Sequence, residues 1–154
     1  MVKKVIVECP RLTETHINPK GFEKMRVKLA TQLFSHSVAS SFTHAIARGE
    51  LPENPYRLIS AFFSSIDKLF DILNSSSLSL QDGKPWKTTL SKDDSNTSFL
   101  RSFADLIDND ALGFIKPTSA GPVINRGVFC FEMLAQTIRG ILAVSETLYE
   151  LGIS

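Results

Sequence analysis

The stretch Tyr56–Asn74 constrains the fold more than any other part of the chain. Apolar residues cover most of its helical circumference: Leu58, Ile59, Phe62, Phe63, Ile66, Leu69, Phe70, Ile72 and Leu73. A helix of this kind belongs at the centre of a helical domain. One polar stripe interrupts it, because Asp67, Asp71 and Asn74 recur at i, i+4 and i+7 with Phe70 at its edge. Spacing alone allows two interpretations, a solvated seam or a carboxylate edge suited to a purine base.

Helical spacing elsewhere predicts a mainly α fold, a single domain of about four to six helices. Pro19 to about Arg48 reads as one long helix, or two in line. A third helix is expected to begin at Asp94 or Ser95, and a last one covers Val128–Leu151, where Gly140 could split it.

Two segments fall outside this pattern. Val2–Cys9 is rich in β-branched residues and predicts a short strand, which a polar connector to Ile17 follows. Residues 75–95 lack periodicity, and a connection of that length is usually functional or mobile. Trp86 in this loop either stacks on a base or pins the loop to the body of the domain.

Length and charge limit the function classes. A chain of 154 residues is enough for one domain, and a net charge of +1 gives no global case for nucleic-acid binding. Any DNA contact would need a local cluster. Such a cluster lies in the first turns of the predicted long helix and consists of Lys20, Lys24, Arg26 and Lys28. The helix dipole favours acidic residues at this end, so the basic residues are unexpected there. The cluster is either a solvated face or a functional one.

The remaining composition predicts an intracellular, soluble protein without a membrane partner. Two cysteines do not make a disulfide framework, and no apolar run is long enough to span a bilayer. His16, His36 and His44 lack metal-ligand spacing. The carboxylate pairs Asp67/Asp71 and Asp105/Asp108 have ordinary helical spacing and supply no catalytic constellation. We therefore expect no catalytic residue, no metal site and no enzymatic activity from this chain alone.

Residue identities carry a resemblance to the GTP-binding insertion domain of P-element-type transposases, including the THAP-domain transposases of animals. Four segments carry it. Arg11–Ile17 is similar to a basic residue-Leu-Thr-x-x-His motif, and Lys24–Ala39 is similar to the family's long helix. Phe63–Ser75 is similar to the motif Ile-Asp-x-x-Phe-Asp-x-x-Asn-Ser, with Lys84 and Pro85 in the loop after it, and Leu148–Gly152 is similar to the family's final helix. The likeness covers nearly the whole chain and is strongest up to residue 75.

The resemblance implies a ribonuclease-H-like catalytic domain interrupted by a helical insertion that binds GTP. Residues 1–17 would be a strand and connector from the catalytic domain, and residues 18–154 the insertion, with a mobile loop at about 75–95. GTP would be a cofactor that is not hydrolysed and that helps to position DNA ends for cutting and joining. Transposon DNA, the flanking catalytic domain and other copies of the parent protein are the implied partners, and the implied location is the nucleus.

Position by position, the resemblance also implies a nucleotide site. Arg11 matches a lysine that approaches the phosphates, and Val27 and Phe70 match residues around the base and sugar. Asp71 matches the carboxylate that selects guanine, since the guanine N1–H and N2 amine suit two carboxylate oxygens. Asn74 is expected to add a polar contact, whereas Asp67 is expected to be structural.

Departures from the family pattern keep a second hypothesis open. Arg11 replaces a lysine, and a further aspartate of the nucleotide site would lie beyond Ser154. The acids that bind Mg²⁺ in the parent enzyme also fall outside this segment, so this chain is not expected to hold that metal. The alternative is a domesticated or decayed helical protein-interaction domain that has lost nucleotide binding.

Overall fold

A computed structural model of the chain describes residues 12–75, 86–92, 94–109, 114–125 and 129–153. Its elements, in chain order, are α1 (Glu14–Ile17), a 3-10 helix (Gly21–Met25), α2 (Val27–Leu33), α3 (His36–Ala47), α4 (Glu53–Leu73), α5 (Ser95–Asp108), β1 (Phe114–Thr118), β2 (Gly121–Asn125) and α6 (Phe129–Glu150). The prediction of a mainly helical fold is confirmed. The predicted strand Val2–Cys9 and most of the 75–95 loop lie outside the described residues.

The chain folds as two compact units where the sequence predicts a single domain. The N-terminal unit covers residues 1–76 and 80–87, and the C-terminal unit covers 77–79 and 88–154. The predicted boundary at residue 17 stays a prediction.

The core of the N-terminal unit forms where α3 packs against α4. Ala39 is 1% exposed, and its small side chain leaves room for α4 to approach. At this contact Ser60 Oγ donates to the Ala39 carbonyl at 2.8 Å. Phe42 contributes to both sides of this core, since its ring stacks on Tyr56 and meets Phe63 edge-on. The apolar face predicted for residues 56–74 is therefore the centre of this unit.

Of the two alternatives predicted for Pro19 to Arg48, the single long helix is wrong, because the chain there forms a 3-10 helix followed by two α-helices, α2 and α3. Arg26 is extended between the first two, and Ser35 is extended where α3 begins. Between α2 and α3, Phe34 leaves helical geometry, and its ring packs 4.9 Å from the Phe63 ring, centroid to centroid. Aromatic packing against α4 accompanies the break that the apolar period did not predict.

The C-terminal unit is built on α5 and α6, whose facing side chains Leu100 and Ile138 are fully buried. The predicted start of α5 is confirmed, because Asp94 is its N-cap and accepts from the Thr97 backbone N–H at 2.7 Å. α6 runs through Gly140 without a break.

A β-hairpin was not predicted. β1 and β2 pair antiparallel with Thr118 opposite Gly121. Gly121 has φ +115°, a left-handed conformation that favours glycine at the turn.

Candidate functional site

The last turn of α4 brings together three of the five predicted site residues. Leu69 and Ile72, each 4% exposed, anchor this turn in the core. Between and after them come Phe70, which is 40% exposed, Asp71, which is 5% exposed, and Asn74, which is exposed at the C-cap. The Asn74 backbone N–H donates to the Phe70 carbonyl at 2.9 Å and closes the helix. A buried carboxylate therefore lies between an accessible aromatic ring and an accessible amide.

Asp71 is a buried carboxylate close to the C-terminus of α4. It lies at the carbonyl end of a 21-residue helix, and no basic residue occupies that last turn. The helix dipole opposes negative charge at this end, and burial of a charge adds a desolvation cost unless hydrogen-bond donors satisfy it. A ligand that presents two adjacent N–H donors is chemically complementary to such a carboxylate.

Ser75, directly after the C-cap, was not singled out from the sequence. Its Oγ is buried and has no hydrogen-bond partner among the described residues. A buried hydroxyl left without a partner costs about 1–3 kcal/mol. The Asn-Ser pair at the end of the family motif was the sequence signal available for Ser75.

The other two predicted residues are placed differently. Val27 is the first residue of α2 and is 65% exposed, so it is on the surface of another element. Arg11 lies outside the described residues. Its neighbour Leu12 is 5% exposed and packs in a core cluster with Val38, which anchors the chain next to it.

The Leu-Thr-x-x-His motif has a structural explanation. Thr13 and His16 form a capping box around α1, in which the Thr13 backbone N–H donates to His16 Nδ1 at 3.0 Å. His16 Nε2 bonds to Gln32 Oε1, also at 3.0 Å, which ties α1 to α2. The segment predicted as a polar connector is thus a short helix fixed to the N-terminal unit.

Trp86 contacts the helix that carries the candidate site. The Lys68 ammonium lies 3.7 Å from the centre of the Trp86 ring, a cation–π geometry, and the ring remains 36% exposed. This contact supports the interpretation in which Trp86 pins its loop to the body of the unit.

The second carboxylate pair has a structural role. Arg139 on α6 binds both Asp105, at 3.2 Å, and Asp108 on α5. The hydrogen bond and charge of Asp108 are the main causes that raise the pKa of the Arg139 guanidinium; burial opposes them, and Asp105 adds a smaller increase. These acids join α5 to α6 through Arg139.

Metal-binding clusters and membrane-spanning helices are both absent from the part of the chain that the structure describes. No group of three or more His, Cys, Asp or Glu side chains there could hold a metal ion. Within the same ranges, no helix is both long and apolar enough to cross a membrane.

Fold and site define a helical insertion domain, and the chain belongs to the family described as the TNP-like, GTP-binding insertion domain, whose model matches residues 2–85. That match coincides closely with the N-terminal unit. The chain is similar to the Transposable element P transposase of Drosophila melanogaster, with 42% identity over 65 residues, which are 42% of this chain and 8% of that protein.

One solved structure shares the fold. It is the Drosophila P element transposase strand transfer complex, which matches 99% of this chain and 34% of the solved chain with a TM-score of 0.76 and 22% identity. The chain therefore spans about a third of that relative's length, and the matched segment is a smaller part of the curated transposase.

Proposed function

We propose that this chain binds GTP through the end of α4, as the insertion domain of a P-element-like DNA transposase. One observation carries the proposal: the buried Asp71 carboxylate lies at the negative end of a helix, between the accessible Phe70 ring and Asn74. Guanine offers an N1–H and an N2 amine side by side, and this pair of donors is complementary to the two oxygens of a carboxylate.

Each remaining residue has a separate task in this proposal. The Phe70 ring and the Val27 side chain pack against the base and sugar, while Asn74 adds a polar contact. The Ser75 hydroxyl, which is buried without a partner among the described residues, can bond to a ligand atom. Arg11 contacts the phosphates with a planar guanidinium, where the family has a lysine. These residues fit a guanine nucleotide, because the set combines a carboxylate, an aromatic ring, neutral polar groups and a cation.

The resemblance to the family supports a proposal for the role of the nucleotide. In the longer protein, bound GTP is not hydrolysed and supplies an anionic group that helps to position transposon DNA for strand cleavage and transfer. We propose that the nuclease centre, its Mg²⁺ and a ribonuclease-H-like fold belong to segments flanking this one. A transposase of the THAP-domain type, acting in the nucleus and assembling as an oligomer, is the proposed parent.

Calorimetric titration with GTP and ATP, each with and without magnesium, tests the proposal. ATP places a base nitrogen lone pair where guanine has its N1–H, so the Asp71 carboxylate would repel it. We expect GTP to bind at least about a hundredfold more tightly than ATP, the order of discrimination that buried polar groups give. Equal affinities would refute guanine recognition.

A protein-interaction domain without nucleotide binding is the alternative. The observation that favours it is that Phe70 and Val27 expose apolar surface, which a protein partner could also cover. Absence of GTP binding even at millimolar concentration would select this alternative for the chain.

A further inference from the structure

Residues 20–28 concentrate positive charge on the N-terminal unit. Lys20, Lys24, Arg26 and Lys28 are all exposed, and Glu23 is the only acid among them. The segment therefore has a net charge of +3, whereas the whole chain has +1. The Glu23 carboxylate accepts the Lys20 backbone N–H at 2.9 Å and so caps the 3-10 helix. No ion pair within the described residues neutralises the four cations.

Two large apolar side chains protrude from the same segment. Phe22 is 88% exposed and Met25 is 78% exposed. They are three residues apart on the 3-10 helix, where side chains at i and i+3 eclipse each other, so they project on the same side. We call this surface, Lys20–Lys28, the basic ridge.

We propose that the basic ridge is a contact surface for duplex DNA. Its cations suit a run of phosphates, and its protruding Phe22 and Met25 suit insertion against base steps. Proteins that bend DNA combine these features, with Arg or Lys at the groove and an apolar wedge that partly unstacks the bases. The basic ridge thus provides the local positive charge that binding to DNA phosphates requires, which the small net charge of the whole chain does not provide.

DNA fits this surface better than an acidic protein segment does. A docked peptide helix needs a concave apolar groove for its anchor residues. Phe22 and Met25 project from the surface, because a side chain that lined a groove would be partly covered and would have a smaller exposed fraction. A projecting ring flanked by cations is complementary to a groove in its partner, which a duplex has.

The proposal extends the proposed function, in which DNA is a partner of the longer protein. Val27, the proposed contact to the base and sugar, is one residue of the ridge. DNA binding is measured without nucleotide. The result therefore stands whether or not GTP binds, and the two proposals can fail separately.

Titration of the 154-residue chain with a fluorescent mixed-sequence duplex over a range of salt concentrations tests the ridge. The affinity should fall as salt rises, and K24Q and K28Q should each reduce the slope of log K against log[salt] by about one. F22A should weaken binding about tenfold without changing the slope, because it removes a base contact and no charge. A 2-aminopurine in the duplex should brighten with the parent protein and not with F22A.

Two matched controls lie on α4 of the same unit. R57Q removes a charge that pairs with Glu53, and L58A truncates a side chain that is 69% exposed. Neither should change binding or slope. No DNA binding at low salt, equal effects of the ridge and control variants, or equally tight binding of polyglutamate would each overturn the proposal. Thermal unfolding of every variant confirms that it is folded.

Discussion

His16 Nε2 bonds to the Gln32 side-chain carbonyl at 3.0 Å, while His16 Nδ1 accepts from the Thr13 backbone. Because Nδ1 accepts, the ring proton of the neutral histidine is on Nε2, which donates to Gln32. One imidazole therefore caps α1 and ties it to α2.

This link predicts a measurable coupling. His16→Leu and Gln32→Leu should each lower the free energy of unfolding by about 1 kcal/mol, since each removes a partly buried hydrogen bond. The double variant should cost less than the sum by about 0.5–1 kcal/mol. Urea denaturation of the four proteins measures the cycle, and additive effects would show that the two side chains do not interact energetically.

Adjacent residues on the last turn of α4 should separate stability from binding. Leu69→Ala creates a cavity at a position that is 4% exposed and should cost about 2–5 kcal/mol of unfolding free energy. Phe70→Ala, at 40% exposure, should cost much less stability and weaken GTP binding about tenfold, since it removes the ring that packs on the base. An unchanged affinity of Phe70→Ala for GTP would contradict this prediction.

Close packing of α3 on α4 predicts an order among substitutions at Ser60. Ser60 is 8% exposed and its Oγ lies 3.1 Å from Thr43 Oγ1. Ser60→Ala loses about 1 kcal/mol with the hydrogen bond to the Ala39 carbonyl. Ser60→Val should cost about 1–3 kcal/mol, because the branched side chain has no space beside Ala39. A valine variant more stable than the alanine variant in urea would disprove this packing account.

Asp94 predicts a pH-dependent contribution to the stability of the C-terminal unit. Burial alone would raise the pKa of this carboxyl, but hydrogen bonds from the backbone of Thr97 and Ser91, with others, outweigh it and lower the pKa below 3.8. A carboxyl with a lowered folded pKa stabilises the protein above its unfolded pKa, and the contribution is lost as pH falls through the folded value.

The test is Asp94→Ala, which removes an N-cap. It should cost about 1 kcal/mol at neutral pH. The difference from the parent should persist down to about pH 4, the unfolded pKa of aspartate, and shrink below it. Chemical denaturation at several pH values measures it, and a difference that is constant down to pH 2 would exclude an ionised cap.

Much of the fold could be predicted because local signals agree with the tertiary structure. The apolar circumference of residues 56–74 and the Asp94 cap both indicated helices that the structure contains. The long-helix prediction failed at Phe34, because an apolar period continues through a break that depends on rings of α4. The hairpin was missed because the Ser119-Ala120 turn lacks the Asn-Gly or Asp-Gly signal of tight hairpins.

The sequence predicts which residues of the candidate site share a helix face, but not how deeply each is buried. Spacing places Asp67, Asp71 and Asn74 on one face, yet Asp71 is 5% exposed whereas Asn74 is exposed. Burial depends on what covers each turn, and periodicity carries no information about that. The family motif ends in Asn-Ser, but the burial of the Ser75 hydroxyl could not be predicted from periodicity.

The most direct test of the central claim is the nucleotide preference of Asp71→Asn. Xanthine has a carbonyl where guanine has its N2 amine, so the amide N–H of Asp71→Asn would donate to an acceptor on xanthine. The same substitution removes the charged acceptor that would bind the guanine N–H groups. Calorimetry should show GTP preferred by the parent and by Asp67→Asn, the matched control one turn earlier on α4. Asp71→Asn should bind XTP more tightly than GTP, a change in the ratio of about a hundredfold or more. An Asp71→Asn protein that is folded and retains the parent preference for GTP would contradict guanine recognition by Asp71.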